Sequence, residues 1–470
     1  MTILRRCLLS LALFCALLAP AQAGTRAYFS PNGGGADAVI QKINTAQKSI
    51  DVAMYSISTG GAPIFKALED AIKRGVRVRV ILHKGSTSNK SKAKALAAIG
   101  AHVFDTSATL HEKFSIIDAE DWARRTLTNG SANWSTNADT TYSENTVVFD
   151  GWQHQRLILA FQKEFNYLLT KARPLSDGAE NHMDPVEFKV WSFGQSDTEA
   201  VFTSANTGSG SSTAEGVVNS RIVSAIRAAK RSIVIDVAHF DSRPIADALI
   251  ETVRAKRLAG EPLDVEVLLE QGELGPGGQA RRIEAAGIPV RYKYYSLTYT
   301  HPQAQLMHHK TTIVDGEVMV TGSYNYSKTA EFGNYENVIV VGKGEQALID
   351  AFLGEHERLW DGGRETYRDF VAALRAQKGD ANYQRYVPVH FKTDYHEGYM
   401  TLTRQEVDPI YFGFTAYTGI NDSRGSLIWD REENRPYKGN IRDLVEEHGT
   451  FLQPKGAPAA GINAALQNQD

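Results

Sequence analysis

The chain has 470 residues, 42% hydrophobic and 22% charged, with 39 Gly and 15 Pro. That length allows two or three ordinary domain cores, and the composition excludes a disordered acidic tail, a collagen-like repeat and a low-complexity chain. With 51 basic against 54 acidic side chains, a net charge of −3, no chain-wide positive field marks a polyanion binder, although a local basic groove stays open.

Residues 1–23 combine Arg5 and Arg6, an apolar run from Cys7 to Leu18 and the small-x-small trio Ala21-Gln22-Ala23. Positive start, apolar centre and cleavage site, in that order, describe an export signal whose centre is too short for an ordinary membrane span. The paired arginines leave general and twin-arginine export both open. Removing the segment leaves 49 basic and 54 acidic side chains, a net of −5, and takes away both cysteines, Cys7 and Cys15. The mature protein is therefore expected in the periplasm or outside the cell, without a disulfide, a thiol nucleophile or a thiolate metal site.

From there the chain nearly repeats itself. Ala38–Ala46 has apolar residues at helical spacing, and Ser49–Tyr55 reads as a buried strand. Arg221–Lys230 and Ser232–Phe240 repeat the pair, with Asp236-Val237-Ala238 echoing Asp51-Val52-Ala53. A second helix follows in each copy (Pro63–Lys73, Pro244–Lys256), then a β-branched run (Val76–Leu82, Leu263–Leu269) and a third helix ending in glycine (Lys92–Gly100, Gln279–Gly287). Helices alternating with buried strands predict an α/β fold of two pseudo-symmetric lobes, each a mixed sheet flanked by helices. The helical spacing of Gln153–Leu169 closes the first copy, and Glu345–Leu359 closes the second.

The expected organisation is thus an export signal (1–23), a first lobe (24–172), a Pro-, Gly-, Ser- and Thr-rich linker (173–212), a second lobe (213–360) and a small C-terminal module (361–470). In that module Phe391, Tyr395, Tyr399, Tyr411, Phe412 and Phe414 are read as strand packing in preference to a ligand platform.

Each copy ends on one polar pattern. His111, Lys113 and Asp118 in the first, and His308, Lys310 and Asp315 in the second, both spell H-x-K-x-x-x-x-D. Counting from His111, Gly130, Ser131, Asn133, Ser135, Glu144 and Asn145 fall at 19, 20, 22, 24, 33 and 34; counting from His308, Gly322, Ser323, Asn325, Ser327, Glu336 and Asn337 fall at 14, 15, 17, 19, 28 and 29. The offset is a constant five, which one insertion at Ala119–Ala123 explains. One such motif is a weak signal; two with a shared downstream series are not accidental.

A phosphodiester is anionic and repels nucleophiles, so a site that cleaves it must neutralise its oxygens, attack phosphorus and protonate the departing oxygen. Lys113 and Lys310 can supply charge. Strand alternation sets His and Lys, two apart, on one face, and two imidazoles can divide attack and proton transfer.

The doubled H-x-K-x-x-x-x-D, each copy followed by G-S-x-N-x-S and E-N, resembles the phospholipase D superfamily over residues 28–360. Its members pair two such motifs across a pseudo-two-fold axis. Tyr28–Asp150 also resembles the compact bacterial nuclease branch, which assembles its site by dimerising one copy. With both copies in one chain, the site is expected within a monomer.

The resemblance implies a phosphohistidine intermediate. It implies His111 as nucleophile and His308 as acid, the two-fold symmetry leaving the reverse open. Glu144 and Glu336 would fix the imidazole tautomers, and Ser131, Asn133, Ser323 and Asn325 would donate to phosphate oxygens. Asp118 and Asp315 complete the catalytic motifs as residues that order strand and loop.

No metal or cofactor is expected, because the lysines provide the charge. His83, His301 and His309 lack counterparts in the other copy and are read as structural or solvent-facing. Ser131 lies near His111 in sequence, but no G-x-S-x-G elbow supports a serine hydrolase.

Export, negative mature charge and the tandem arrangement point to phospholipid as substrate. A metal-independent nuclease is the alternative, with Lys84, Lys90, Lys92 and Lys94 as a possible groove against their simpler reading as a solvated helix face. A non-catalytic binding scaffold is the third reading. The segment between Gly287 and His308, ten residues longer than that between Gly100 and His111, carries Tyr292, Tyr294, Tyr295 and Tyr299 and is expected to cover the site.

Overall fold

The computed structural model describes residues 24–31, 33–57, 62–84, 87–106, 108–191, 193–206, 216–270, 278–293 and 306–361, and beyond them the strand residues 391–396, 399–404, 429–430, 435–436 and 450–454. The expected export signal, Tyr294, Tyr295, Tyr299, His301, Tyr411, Phe412 and Phe414 lie outside the described residues.

The first lobe runs β1 (Arg26–Ser30), α1 (Gly35–Thr45), β2 (Ser49–Met54), α2 (Ala62–Lys73), β3 (Arg77–His83), α3 (Thr87–Ala98), β4 (His102–Thr106), β5 (Thr109–Leu110), β6 (Lys113–Ile117), β7 (Thr126–Gly130), α4 (Thr136–Thr140), β8 (Glu144–Phe149), α5 (Gln155–Lys171) and β9 (Ala172–Pro174). The second runs β10 (Glu199–Phe202), α6 (Val217–Arg227), β11 (Ser232–Val237), α7 (Arg243–Leu258), β12 (Asp264–Glu270), α8 (Ala280–Ala285), β13 (Val290–Lys293), β14 (Lys310–Val314), β15 (Val318–Gly322), α9 (Lys328–Gly333), β16 (Asn334–Tyr335), β17 (Asn337–Val341) and α10 (Gln346–Asp361).

Strand order is β1-β8-β7-β6-β2-β3-β4-β9 in one sheet and β10-β17-β15-β14-β11-β12-β13 in the other. Apart from β9 these are the same order, strand for strand. In each lobe the run joined by helices (β2-β3-β4, β11-β12-β13) is parallel and the rest antiparallel. Every residue of β2 is buried, as a strand covered by helices on both faces requires. The expected mixed sheets and two lobes are thus present, and residues 391–454 contribute a separate five-stranded sheet.

The two lobes share a core. Phe114, Phe149 and Phe161 of the first pack in one apolar cluster with Met319, Ile339 and Phe352 of the second. Phe161 is fully buried and meets Phe202 edge-on at 5.0 Å; truncation to Ala there costs about 3–5 kcal/mol. Such packing fixes the two sheets against each other, which a site built from both requires.

Two expectations need correction. The echo of Asp51-Val52-Ala53 in Asp236-Val237-Ala238 is out of register by two. Ala53 pairs Phe114 and Asp236 pairs Thr311, the third residues after the two motif histidines. A slip of two keeps the face, so both aspartates point to the helical layer, Asp51 onto Arg79 at 2.6 Å and Asp236 onto His356 at 2.7 Å. The stretch 173–212 is also not a free tether over its described part. Strand β9 adds to β4, Asn166 holds the Val186 backbone at 2.8 and 3.1 Å, and β10 is already the edge of the second sheet. Three- and four-residue edge strands carry too little periodicity to stand out from Pro and Gly.

Candidate active site

Each motif histidine stands two residues before the first residue of a central strand, β6 or β14, so it leaves the sheet's end and does not lie within its ladder. Both are held by the opposite lobe. The His111 amide donates to Tyr335 O at 2.9 Å, where β5 and β16 form a parallel pair between lobes. The His308 amide donates to Ser143 O at 2.8 Å. Tyr335 and Ser143 immediately precede Glu336 and Glu144.

The carboxylates follow the same exchange. His111 Nδ1 lies 2.8 and 2.9 Å from the two Glu336 oxygens, and His308 Nδ1 lies 2.8 Å from Glu144 Oε2. Each imidazole of one lobe is therefore oriented by the glutamate of the other. An N–H at Nδ1 donating to carboxylate leaves Nε2 as the free, basic nitrogen.

Ser131 and Ser323 serve those glutamates and not a phosphate, which corrects the sequence assignment. Ser323 Oγ donates to Glu336 Oε2 at 2.7 Å and accepts the Asn337 amide at 3.0 Å. Ser131 Oγ accepts the Asn145 amide at 2.9 Å, and its hydroxyl is one of the groups that favour the charged form of Glu144. Both are fully buried, because a residue following the glycine that ends β7 or β15 turns inward beneath the site. Asn133 and Asn325 remain half-buried, and the Oδ1 of each is buried without a partner.

Lys113 Nζ donates to His111 O, and Lys310 Nζ to His308 O at 2.5 Å. The electrostatic couplings join all four groups. His111 feels Lys310 as well as Lys113, and His308 feels Lys113 as well as Lys310. Burial pushes His308 down to about 4 and His111 in the same direction, against the opposing pull of Glu144 and Glu336. It pushes Lys113 down to about 8 and Lys310 to about 7. Burial alone would raise Glu144 and Glu336, but the imidazoles, lysines and serines hold both below the usual carboxylate range. Near neutral pH burial thus favours neutral imidazoles beside two ionised glutamates, and the lysines carry their charge on the acid side of about 7 and 8.

Asp118 and Asp315 lie at the far end of β6 and β14 and touch none of this. Both have left-handed backbones (φ 51° and 57°). Asp118 accepts the amides of Gln47, Lys48 and Ser49 at 2.7–3.1 Å, and Asp315 those of Lys230, Arg231 and Ser232 at 2.6–3.0 Å. They anchor the turns into β2 and β11, which lie beside the motif strands. His309 is buried and takes the Asn145 amide nitrogen at 2.9 Å. Lys84 is exposed in the turn before α3; on the helix Lys90 and Lys94 are exposed, Lys92 is half-buried, and Ala93 and Leu96 turn inward, so these three lysines lie on a solvated helix face.

Sequence reasoning missed Tyr55. Its ring meets His111 edge-on at 4.7 Å, lies 5.1 Å from Lys113 Nζ and stacks on His83 at 5.1 Å. His83, read as structural or solvent-facing, therefore belongs to the surroundings of the site; burial and then Lys113 lower its pKa. The available signal was position: Tyr55 directly follows β2, the neighbour of β6.

A family model described as cardiolipin synthase, phospholipase D-like domain, matches residues 39–169 and 222–360. A mitochondrial cardiolipin hydrolase of Xenopus laevis is 31% identical over 144 residues, 30% of this chain and 60% of that protein, so the chain spans about 60% of that relative's length. Among solved structures, Nuc, a phospholipase D family member from Salmonella typhimurium, is 25% identical with a TM-score of 0.29, over 33% of this chain and 99% of that one. Phosphatidylserine synthase from Haemophilus influenzae Rd KW20 is 14% identical with a TM-score of 0.51, over 71% of this chain and 85% of that one, and shares the fold.

Proposed function

Because this chain belongs to the phospholipase D-like family, we propose that it is an exported phosphodiesterase that hydrolyses the head-group phosphodiester of phospholipids through a phosphohistidine. The observation that carries this reading is the reciprocal pairing of His111 with Glu336 and His308 with Glu144 in one buried site. A binding scaffold needs neither exchange. Both halves lie in one chain, so the unit of activity is a monomer. Phospholipid is favoured over nucleic acid by the cardiolipin hydrolase relative and by a mature charge of −5.

Lys113 and Lys310 neutralise the non-bridging oxygens of the bound diester. His111 Nε2 attacks phosphorus, and the bond from phosphorus to the head-group oxygen breaks as His308 delivers its proton to that oxygen. The bound anion beside it favours imidazolium and lets His308 carry this proton. His308, neutral again, takes a proton from water, whose oxygen displaces His111 from phosphorus and leaves a phosphatidate. Burial lowers both imidazoles, so either can serve as the neutral nucleophile; attack by His111 and proton transfer by His308 follow the family resemblance.

The test is turnover of phospholipid vesicles and of single- and double-stranded DNA by the purified protein with chelator present, for wild type, His111→Ala and His308→Ala. The expected result is head-group release by wild type, reduced by about 10³-fold or more in each variant. Equal turnover in all three would end the enzymatic reading, and cleavage of DNA alone would move the substrate to nucleic acid.

A further inference from the structure

Away from the histidines, the first lobe holds a cavity of ≈130 Å³ among α1, α2 and α4, walled by Ile40, Ile64 and Trp134. The equivalent place in the second lobe is filled, and the residues that fill it can be named. Counting one position on from Ser131 and Ser323 matches Ala132 with Tyr324, and eight positions on matches Asp139 with Glu331. Counting thirteen back from Ser49 and Ser232, the first residues of β2 and β11, matches Ala36 with Asn219.

In the second lobe the Tyr324 hydroxyl donates to Glu331 Oε2 at 2.7 Å and lies 3.1 Å from Asn219 Oδ1. Glu331 also takes the amides of Val218 and Asn219 at 3.2 and 2.9 Å, and all three side chains are buried. In the first lobe two members are cut back to alanine and the third loses a methylene. Asp139 keeps only the long counterpart contact, 3.5 Å from the Ala36 amide. The cavity is therefore the same socket without its phenol. Asp37 adds a second carboxylate to its lining, and no basic side chain among the described residues lines it.

We propose that this cavity is a binding site for a monocyclic aromatic ligand bearing a hydrogen-bond donor, a phenol or an aryl-methylammonium, whose ring takes the place of Tyr324 and whose donor meets Asp139. The size suits it: an engineered apolar cavity of about 150 Å³ binds benzene. The carboxylates select a donor over a bare ring and reject anions. The site is independent of the phosphodiesterase reading, since none of its argument passes through the histidines.

Titration of the purified protein with p-cresol, benzylamine and toluene, followed by calorimetry and by the rise in melting temperature, tests this. Saturable binding of p-cresol and benzylamine at millimolar concentration is expected, about fivefold or more tighter than toluene. Ala132→Tyr, which rebuilds the filled socket, is expected to weaken both by about tenfold or more. Asp139→Asn, which keeps the shape, weakens benzylamine and leaves toluene unchanged, and it decides the matter should Ala132→Tyr not fold. Binding to Ala132→Tyr as tight as to wild type, benzylamine indifferent to Asp139→Asn, toluene equal to both donors, or no saturation by about 20 mM would each overturn the assignment.

Discussion

The two lobes agree where they face each other and part company one layer behind. Histidine, lysine, glutamate and the serine beneath it recur on both sides with the same partners. The residue after each motif histidine does not: it is Glu112 in one lobe and His309 in the other. Both reach across the interface to the asparagine after the opposite glutamate, Asn337 Nδ2 donating to Glu112 Oε1 at 3.3 Å and Asn145 Nδ2 to His309 Nδ1 at 2.9 Å. Behind them, the ninth positions after the start of α5 and α10 are Glu164 and Glu355. The second lobe has a histidine against a carboxylate, 3.4 Å apart, whereas the first sets two carboxylates against each other. Groups that grip one phosphate from two sides must match; groups that only support them must fit their own surroundings and are free to diverge.

The strongest way to break this comparison is through the exchanged glutamates. Glu336→Gln and Glu144→Gln should each lower kcat by about 10²–10⁴-fold, as the loss of an imidazole-orienting carboxylate does. Since each acts on the histidine of the other lobe, Glu336→Gln combined with His111→Ala should be no worse than His111→Ala alone. Additive losses would mean the pairs do not work as units.

A smaller effect follows from the lysines. Burial holds Lys310 near 7 and Lys113 near 8, so their charge is present at lower pH and lost as pH rises through those values. In a pH profile of kcat/KM the optimum should lie on the acid side of neutrality, with a fall of about tenfold or more between pH 7 and 9. A plateau to pH 9 would show that both lysines stay charged.

The smallest effect separates the supporting layers. Burial raises Glu164 to about 7, whereas His309 and Arg358 override burial and hold Glu355 to about 2. A raised carboxylate weakens the fold increasingly as pH climbs from the unfolded value towards 7, so Glu164→Gln should raise the melting temperature at pH 8. A depressed one stabilises above the unfolded value and is lost as pH falls towards 2, so Glu355→Gln should cost about 1–3 kcal/mol at pH 8. Shifts of the same sign in thermal melts would erase the contrast.

Repetition made much of this legible in the sequence. The constant offset of five aligned β6 to β8 with their counterparts β14, β15 and β17, and paired every member of the catalytic set. Repetition also hid the exchange, because two identical E-N series give no sign of which histidine each glutamate serves. Ser131 and Ser323 were misread for a related reason: a hydroxyl beside a phosphate site and one beneath it have the same sequence neighbours, and only burial tells them apart. The slipped Asp-Val-Ala echo shows how a period of two preserves a face while losing the register. Tyr55 went unnoticed because Ala238 stands at its counterpart, so a search for doubled residues passes over it.

The central claim is that both lobes close on one phosphorus atom, and a crystal structure of the protein soaked with tungstate as a phosphate mimic tests it most directly. One tungstate touched by Nε2 of both His111 and His308, with each Nδ1 still on the glutamate of the opposite lobe, is the predicted result. Two separate anions, each confined to one lobe and out of reach of the other histidine, would contradict it.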